Sequence, residues 1–124
     1  MDVTSVTVGL PVSDLPRAVQ WYQRVFDLGE PDLNPADGVL EFQVGPVWLQ
    51  LSAAPATGSG AGPATRPEGG PVTRFGVGDA AAERARLSRL GIAAGSLEHV
   101  EGAVDYFGFA DPDGNQLSVY SLLS

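Results

Sequence analysis

The sequence predicts an α+β fold built from two similar units of strand, helix and three further strands, with their sheets brought together around a cleft. Three observations predict it. An internal repeat runs at one spacing: Val12 and Val77 (77 − 12 = 65), Asp14 and Asp79 (79 − 14 = 65), Phe42 and Phe107 (107 − 42 = 65). Two copies at this spacing imply two related supersecondary units, not a solenoid. Each copy is an apolar strand ending in Val-x-Asp and running straight into a helical pattern, VTVGLPVSDLPRAVQWY at 6–22 and PVTRFGVGDAAAERARL at 71–87. Each helix is followed by short extended segments separated by Gly, Pro, Asp and Asn, the pattern of hairpins.

In the first half, residues 3–12 alternate, with Val6, Val8, Leu10 and Val12 on one face and Ser5, Thr7, Gly9 and Pro11 on the other. Asp14 suits a helix N-cap, and Pro16 suits the first turn, whose amides lack intrahelical partners. Leu15, Ala18, Val19, Tyr22 and Phe26 follow helical spacing, and Gly29 is the expected stop. A weak strand is expected within 30–34, then strands at 39–44 and 47–52 joined by Gly45-Pro46. Trp21 reads as a packing or interface residue.

Residues 53–70, AAPATGSGAGPATRPEGG, have linker composition. In the second half a strand at 71–77 leads to Asp79 and a helix to about Leu90, closed by Gly91. A short strand is expected at 92–94, with His99 in a loop beyond it. Strands at 104–109 and 116–121 pair across the turn DPDGN at 111–115. The expected organisation is one domain, 1–124, with module 1 at about 1–53, a linker at about 54–70 and module 2 at about 71–124.

Composition narrows the chemistry. With 124 residues, about two thirds of the unfolded chain's surface is buried on folding, enough for a core without staples. There is no Cys and no Lys, which excludes thiolate nucleophiles, thiolate metal sites and Schiff bases. The single His, His99, leaves no site with two imidazoles in one chain. A net charge of −8 argues against nucleic acid, whose phosphates need a basic face. No run approaches the ~20 apolar residues of a membrane span, and no signal-like segment opens the chain, so the expectation is a cytoplasmic protein.

In this order of elements the chain resembles the vicinal oxygen chelate superfamily, which takes in glyoxalase I, extradiol dioxygenases, fosfomycin-resistance enzymes and bleomycin-resistance proteins. The resemblance rests on LPVSDLPRAVQWYQRVFDLG, on FGVGDAAAERARLSRLGI and most specifically on FADPDGNQLSVY. It implies two βαβββ modules with curled mixed sheets around a concave cleft. It also implies that the metal-ligand positions of metal-dependent members fall on Thr7, Gln50, Val72 and Ser118. Val72 has no donor atom, and the other three are two neutral hydroxyls and a neutral amide. Zinc sites take three or four His, Cys or carboxylate ligands, and magnesium and manganese sites normally include carboxylates. No metal and no cofactor are therefore expected.

The candidate ligand-binding residues are Thr7, Trp48, Gln50, Val72, Arg74, Tyr106, Ser118 and Tyr120, with Gly9 beside them. The aromatic rings offer flat surface with polar tips, and an inward Arg74 needs an anionic group, water or a carboxylate such as Glu41 or Asp105. The expected function is metal-independent binding of a drug or metabolite, in the manner of bleomycin-resistance proteins, by a homodimer. The alternative is a metal-using glyoxalase-like lyase or isomerase, or a dioxygenase-type enzyme. Its acid–base groups would come from Glu41, His99, Asp105 or the tyrosines. A third reading is a partner domain with a vestigial cleft.

Overall fold

The computed structural model describes residues 1–53 and 72–122. Among these, 1–53 with 112–114 form one compact unit and 72–111 with 115–122 form another. The expected linker at 54–70 lies outside the described residues. No helix among the described residues is long and apolar enough to cross a membrane.

The first unit runs β1 (Thr7–Val12), α1 (Leu15–Phe26), β2 (Leu33–Ala36), β3 (Val39–Val44) and β4 (Val47–Ala53). Its sheet has the order β1-β4-β3-β2, with β1 parallel to β4 and the other neighbours antiparallel. The alternation of the sequence sorts the two faces. Leu10, Val12, Phe42, Leu49 and Leu51 are buried, as are Ala18, Tyr22 and Val25 of α1. Burying each of these larger side chains contributes about 1.5–3 kcal/mol.

Asp14 caps α1 as expected: its Oδ1 accepts the amide of Arg17 at 3.2 Å. The stop differs from expectation. Asp27, not Gly29, takes the left-handed conformation, at φ 54°. A short polar side chain tolerates that conformation. Gly29 is held instead through its carbonyl, which accepts from Gln23 Nε2 at 3.0 Å. Two further boundaries move. β1 starts at Thr7, opposite Trp48, one residue from the start of β4 at Val47; Val6 is exposed, although its carbonyl still accepts from Trp48 N. The weak strand falls at 33–36. Asp32 sets its start, with Oδ2 accepting the amide of Gln43 at 2.8 Å. Gly45 at φ 58° supplies the β3–β4 turn, in which a positive φ is needed at the first central position.

The second unit runs β5 (Val72–Gly76), α2 (Ala80–Arg89), β6 (Glu98–Val100), β7 (Val104–Ala110) and β8 (Gln116–Leu122). Its sheet order is β5-β8-β7-β6, again with one parallel pair, β5 and β8. Asp79 Oδ1 caps α2 by accepting Ala82 N at 3.1 Å, and Ser121 Oγ accepts Ala80 N at 2.9 Å. Phe107, Phe109, Leu117 and Val119 are buried on the sheet face that α2 covers, with Ala80 and Leu87 of the helix.

The expected strand at 92–94 is reduced to one isolated bridge, Ala94 with Phe109. The third strand is β6, and His99 lies in it rather than in a loop. Its sequence carries no apolar alternation because it is an exposed edge strand.

The repeat holds for the parallel ladders. Gly9 pairs with Gln50 and Arg74 pairs with Ser118, so the shifts are 65 (74 − 9) and 68 (118 − 50). The match of Phe42 to Phe107 does not hold. Phe42 pairs with Leu49, whose counterpart Leu117 pairs with Phe109, a shift of 67 (109 − 42). Likewise Val44 does not match Phe109. A slip of two residues keeps every side chain on its face, so the alternation concealed it.

Candidate ligand-binding site

Each sheet has one face covered by its helix and one face, termed open, that no helix of its own unit covers. On the first sheet the ladder places Thr7, Trp48 and Gln43 in one row across the open face. Gly9, Gln50 and Glu41 form the next row. Gln50 Nε2 donates to Glu41 Oε2 at 2.8 Å. Gly9 leaves room beside them: a Cβ there would sit 3.6 Å from Gln50 Oε1. Trp48, Gln50 and Glu41 are half-buried and Thr7 is exposed.

On the second sheet, Val72, Gln116 and Ala110 form one row of the open face. Arg74, Ser118 and Gly108 form the second, and Gly76, Tyr120, Tyr106 and Glu98 the third. Ser118 is buried; its hydroxyl donates to the carbonyl of Phe107 at 3.1 Å and accepts from Arg74 Nη1 at 3.4 Å. Tyr106 and Tyr120 are half-buried, while Arg74 and Val72 are exposed. The structure thus brings Thr7, Trp48 and Gln50 together on one face. It brings Val72, Arg74, Tyr106, Ser118 and Tyr120 together on another.

The family model for the glyoxalase/bleomycin resistance protein/dioxygenase superfamily matches residues 4–119. The chain belongs to this superfamily. Solved structures share the fold of the glyoxalase-superfamily chain over nearly its whole length. TnmS3, an antibiotic binding protein from Streptomyces sp. CB03234, is 24% identical, with a TM-score of 0.73 and coverage of 99% of both chains. A glyoxalase/bleomycin resistance protein from Catenulispora acidiphila is 21% identical, with a TM-score of 0.71 and coverage of 96% of this chain and 98% of that one. The fosfomycin resistance protein FosX of Listeria monocytogenes is 16% identical, with a TM-score of 0.76 and coverage of 98% and 92%. At these identities the likeness is one of fold. No curated protein sequence matches the chain.

The resemblance implies a divalent ion at Thr7, Gln50, Val72 and Ser118, and the chemistry of these residues does not fit one. Val72 is a hydrocarbon. Ser118 is engaged by Phe107 and Arg74, and Gln50 turns its amide hydrogens towards Glu41. Among the described residues no group of three or more His, Cys, Asp or Glu could hold a metal ion. Three neutral oxygens do not offset the dehydration of a divalent cation.

The candidate acid–base residues divide. Glu41 lies on the open face. Asp105 pairs with His99 and Ser121, one position out of step with Tyr106, and so points to the face opposite the tyrosines. His99 Nδ1 meets Asp105 Oδ1 at 2.6 Å, and Nε2 meets Glu101 Oε2 at 2.9 Å. Asp105 first and Glu101 second hold the imidazole above its ordinary pKa. Glu41 is spent on Gln50 and Asp105 on His99, so Asp105 is not the partner of Arg74.

Sequence reasoning missed Gly76 and Gly108. A Cβ on Gly76 would meet Tyr120 Oη at 2.9 Å, so the tyrosine ring occupies the space above this glycine. Gly108 lies across the ladder from Ser118 and leaves its row low. Alternation marks both as open-face positions. The missing side chain, the useful signal there, is silent in a reading that looks for functional groups.

Trp21, on α1 and outside these rows, is half-buried with its ring edge-on to Tyr22 at 4.8 Å, consistent with packing.

Proposed function

We propose that this glyoxalase-superfamily chain is a metal-independent binding protein that sequesters a drug or metabolite on the open faces of its sheets. The observation that carries the reading is the donor set at the four inherited positions: one valine, two hydroxyls and an amide, with no imidazole or carboxylate among them. Supporting it, half-buried aromatic rings stand on both faces, Trp48 on one and Tyr106 and Tyr120 on the other. Rings with polar tips suit planar organic ligands. The antibiotic-binding neighbour TnmS3 has the same fold. The homodimer implied by the resemblance belongs to the same proposal, and light scattering checks it by a particle of twice the chain mass.

The decisive experiment couples elemental analysis with ligand binding. Purified protein is expected to carry metal far below one ion per chain. Thermal stabilisation by aromatic drugs or metabolites is expected to survive exhaustive chelation. A stoichiometric divalent ion, with ligand turnover lost on chelation, would establish the lyase or dioxygenase reading instead.

A further inference from the structure

We propose, resting on the binding reading above, that the open face of the second sheet selects a planar aromatic ligand bearing an anionic group, an aryl carboxylate being the simplest case, with Arg74 as the partner of the anion. Three features of the face lead there.

The first is the state of Arg74. Its guanidinium reaches one neutral oxygen, Ser118 Oγ at 3.4 Å, and no carboxylate among the described residues of its own unit lies within ion-pair distance of it. The ion pairs of this unit lie elsewhere, Arg86 with Glu83 and His99 with Glu101 and Asp105. A guanidinium presents a planar fork of donors that matches a carboxylate in two-point fashion.

The second is relief. Arg74 stands at one end of a row completed by Ser118, a small side chain, and Gly108, which has none. The next row carries Tyr120 and Tyr106 side by side. Same-face rows in a sheet lie about 6.8 Å apart. The face is therefore a shallow trough with an aromatic wall and a cation at its end. A ring system laid in the trough meets the tyrosines while its anionic substituent meets Arg74.

The third is sign. A net charge of −8 favours cations in general, so preference for an anion has to be local. The acid on the same face, Glu98, is on β6, three strand spacings from β5. That is about 14 Å, beyond the screening length of about 8 Å at physiological salt.

The test uses the full chain and three probes of one shape: 2-naphthoate, neutral 2-naphthalenemethanol and cationic 2-naphthylmethylammonium, followed by amide chemical shifts and calorimetry. The expected result is shifts at Gly76, Gly108 and Ser118, with naphthoate bound about 10-fold more tightly than the alcohol. Arg74→Gln should abolish that ratio by weakening naphthoate about 10-fold, and Arg74→Lys should keep part of it. Arg74 is exposed, so neither variant threatens folding. Equal affinity for naphthoate and the alcohol, or an unchanged ratio in Arg74→Gln, overturns the anion assignment and leaves the binding reading standing. Failure of all three probes to move these amides overturns the binding reading and this proposal with it.

Discussion

The tip of the Tyr120 ring lies over the backbone of Gly76, so close that a Cβ on the glycine would come within 2.9 Å of the phenolic oxygen and 3.0 Å of Cζ. The two residues are ladder partners on neighbouring strands, and the missing side chain is what lets the ring lean across. Gly76→Ala should push the ring off this seat. The clash falls on the far end of a movable side chain, so the stability change should stay within about 1 kcal/mol. Affinity for neutral arenes should nevertheless fall several-fold, as read by calorimetry, with the Tyr120 ring resonances shifted. An alanine variant that binds as the parent does would remove Tyr120 from the ligand's contacts.

Gln50 and Glu41 make the corresponding polar pair on the first sheet, 2.8 Å apart. Gln50→Glu replaces that hydrogen bond by two carboxylates facing each other. Like charges raise the folded-state pKa of such a pair above the ordinary value of about 4.3. The penalty is absent below that value and grows as pH rises through it. Urea denaturation should show the variant about 1–2 kcal/mol less stable than the parent at pH 7, with the gap closing towards pH 4. A gap of the same size at both pH values would mean that the side chains do not face each other.

These two pairs show what could be read in advance. Alternation along β1, β4, β5 and β8 assigned Thr7, Gln50, Arg74 and Ser118 to the open faces, because burial under a helix forces a period of two. The N-caps at Asp14 and Asp79 were legible for an equally local reason. The helix stop at Asp27 and the edge strand around His99 were not. Asp is one of several residues that can turn left-handed, and an edge strand exposed on both sides carries no alternation. The true register of Phe42 against Phe109 depends on the length of the connection before β7, a property of the fold rather than of any residue. The engagement of Ser118 by Phe107 is also a tertiary fact, invisible in a hydroxyl's position along the chain.

His99 should titrate above the ordinary histidine value of about 6.5, because both ring nitrogens face carboxylates. Its folded-state pKa is raised, so the stability it lends is fully present below the unfolded value and is lost as pH rises through the folded one. Ring-proton shifts followed against pH check this directly. Asp105→Asn should lower the midpoint more than Glu101→Gln, since Asp105 is the stronger of the two influences. Equal midpoints in parent and Asp105→Asn would show that the 2.6 Å contact does not persist in solution.

The turn between β7 and β8 accounts for the specificity of the DPDGN motif without recourse to ligand chemistry. Asp111 Oδ1 accepts the amide of Asn115 at 2.8 Å, and Oδ2 accepts its Nδ2 at 2.7 Å. The Asp111 amide in turn donates to the Asn115 carbonyl at 3.1 Å, and Gly114 supplies φ 84° within the loop. Both side chains are buried, Asn115 to 1% exposure, so their polar atoms have little access to water in its place. Asp111→Ala leaves the two donors of Asn115 short of this acceptor, at about 1–3 kcal/mol for a buried unsatisfied group. The expected loss is about 2–4 kcal/mol in chemical denaturation, with Asp111→Asn recovering part of it through its carbonyl oxygen. Core strands β7 and β8 meet at this turn, so the loss should appear in the global unfolding transition. A change confined to local amide exchange at 111–115, with the global midpoint unmoved, would show that the turn is decoupled from the sheet.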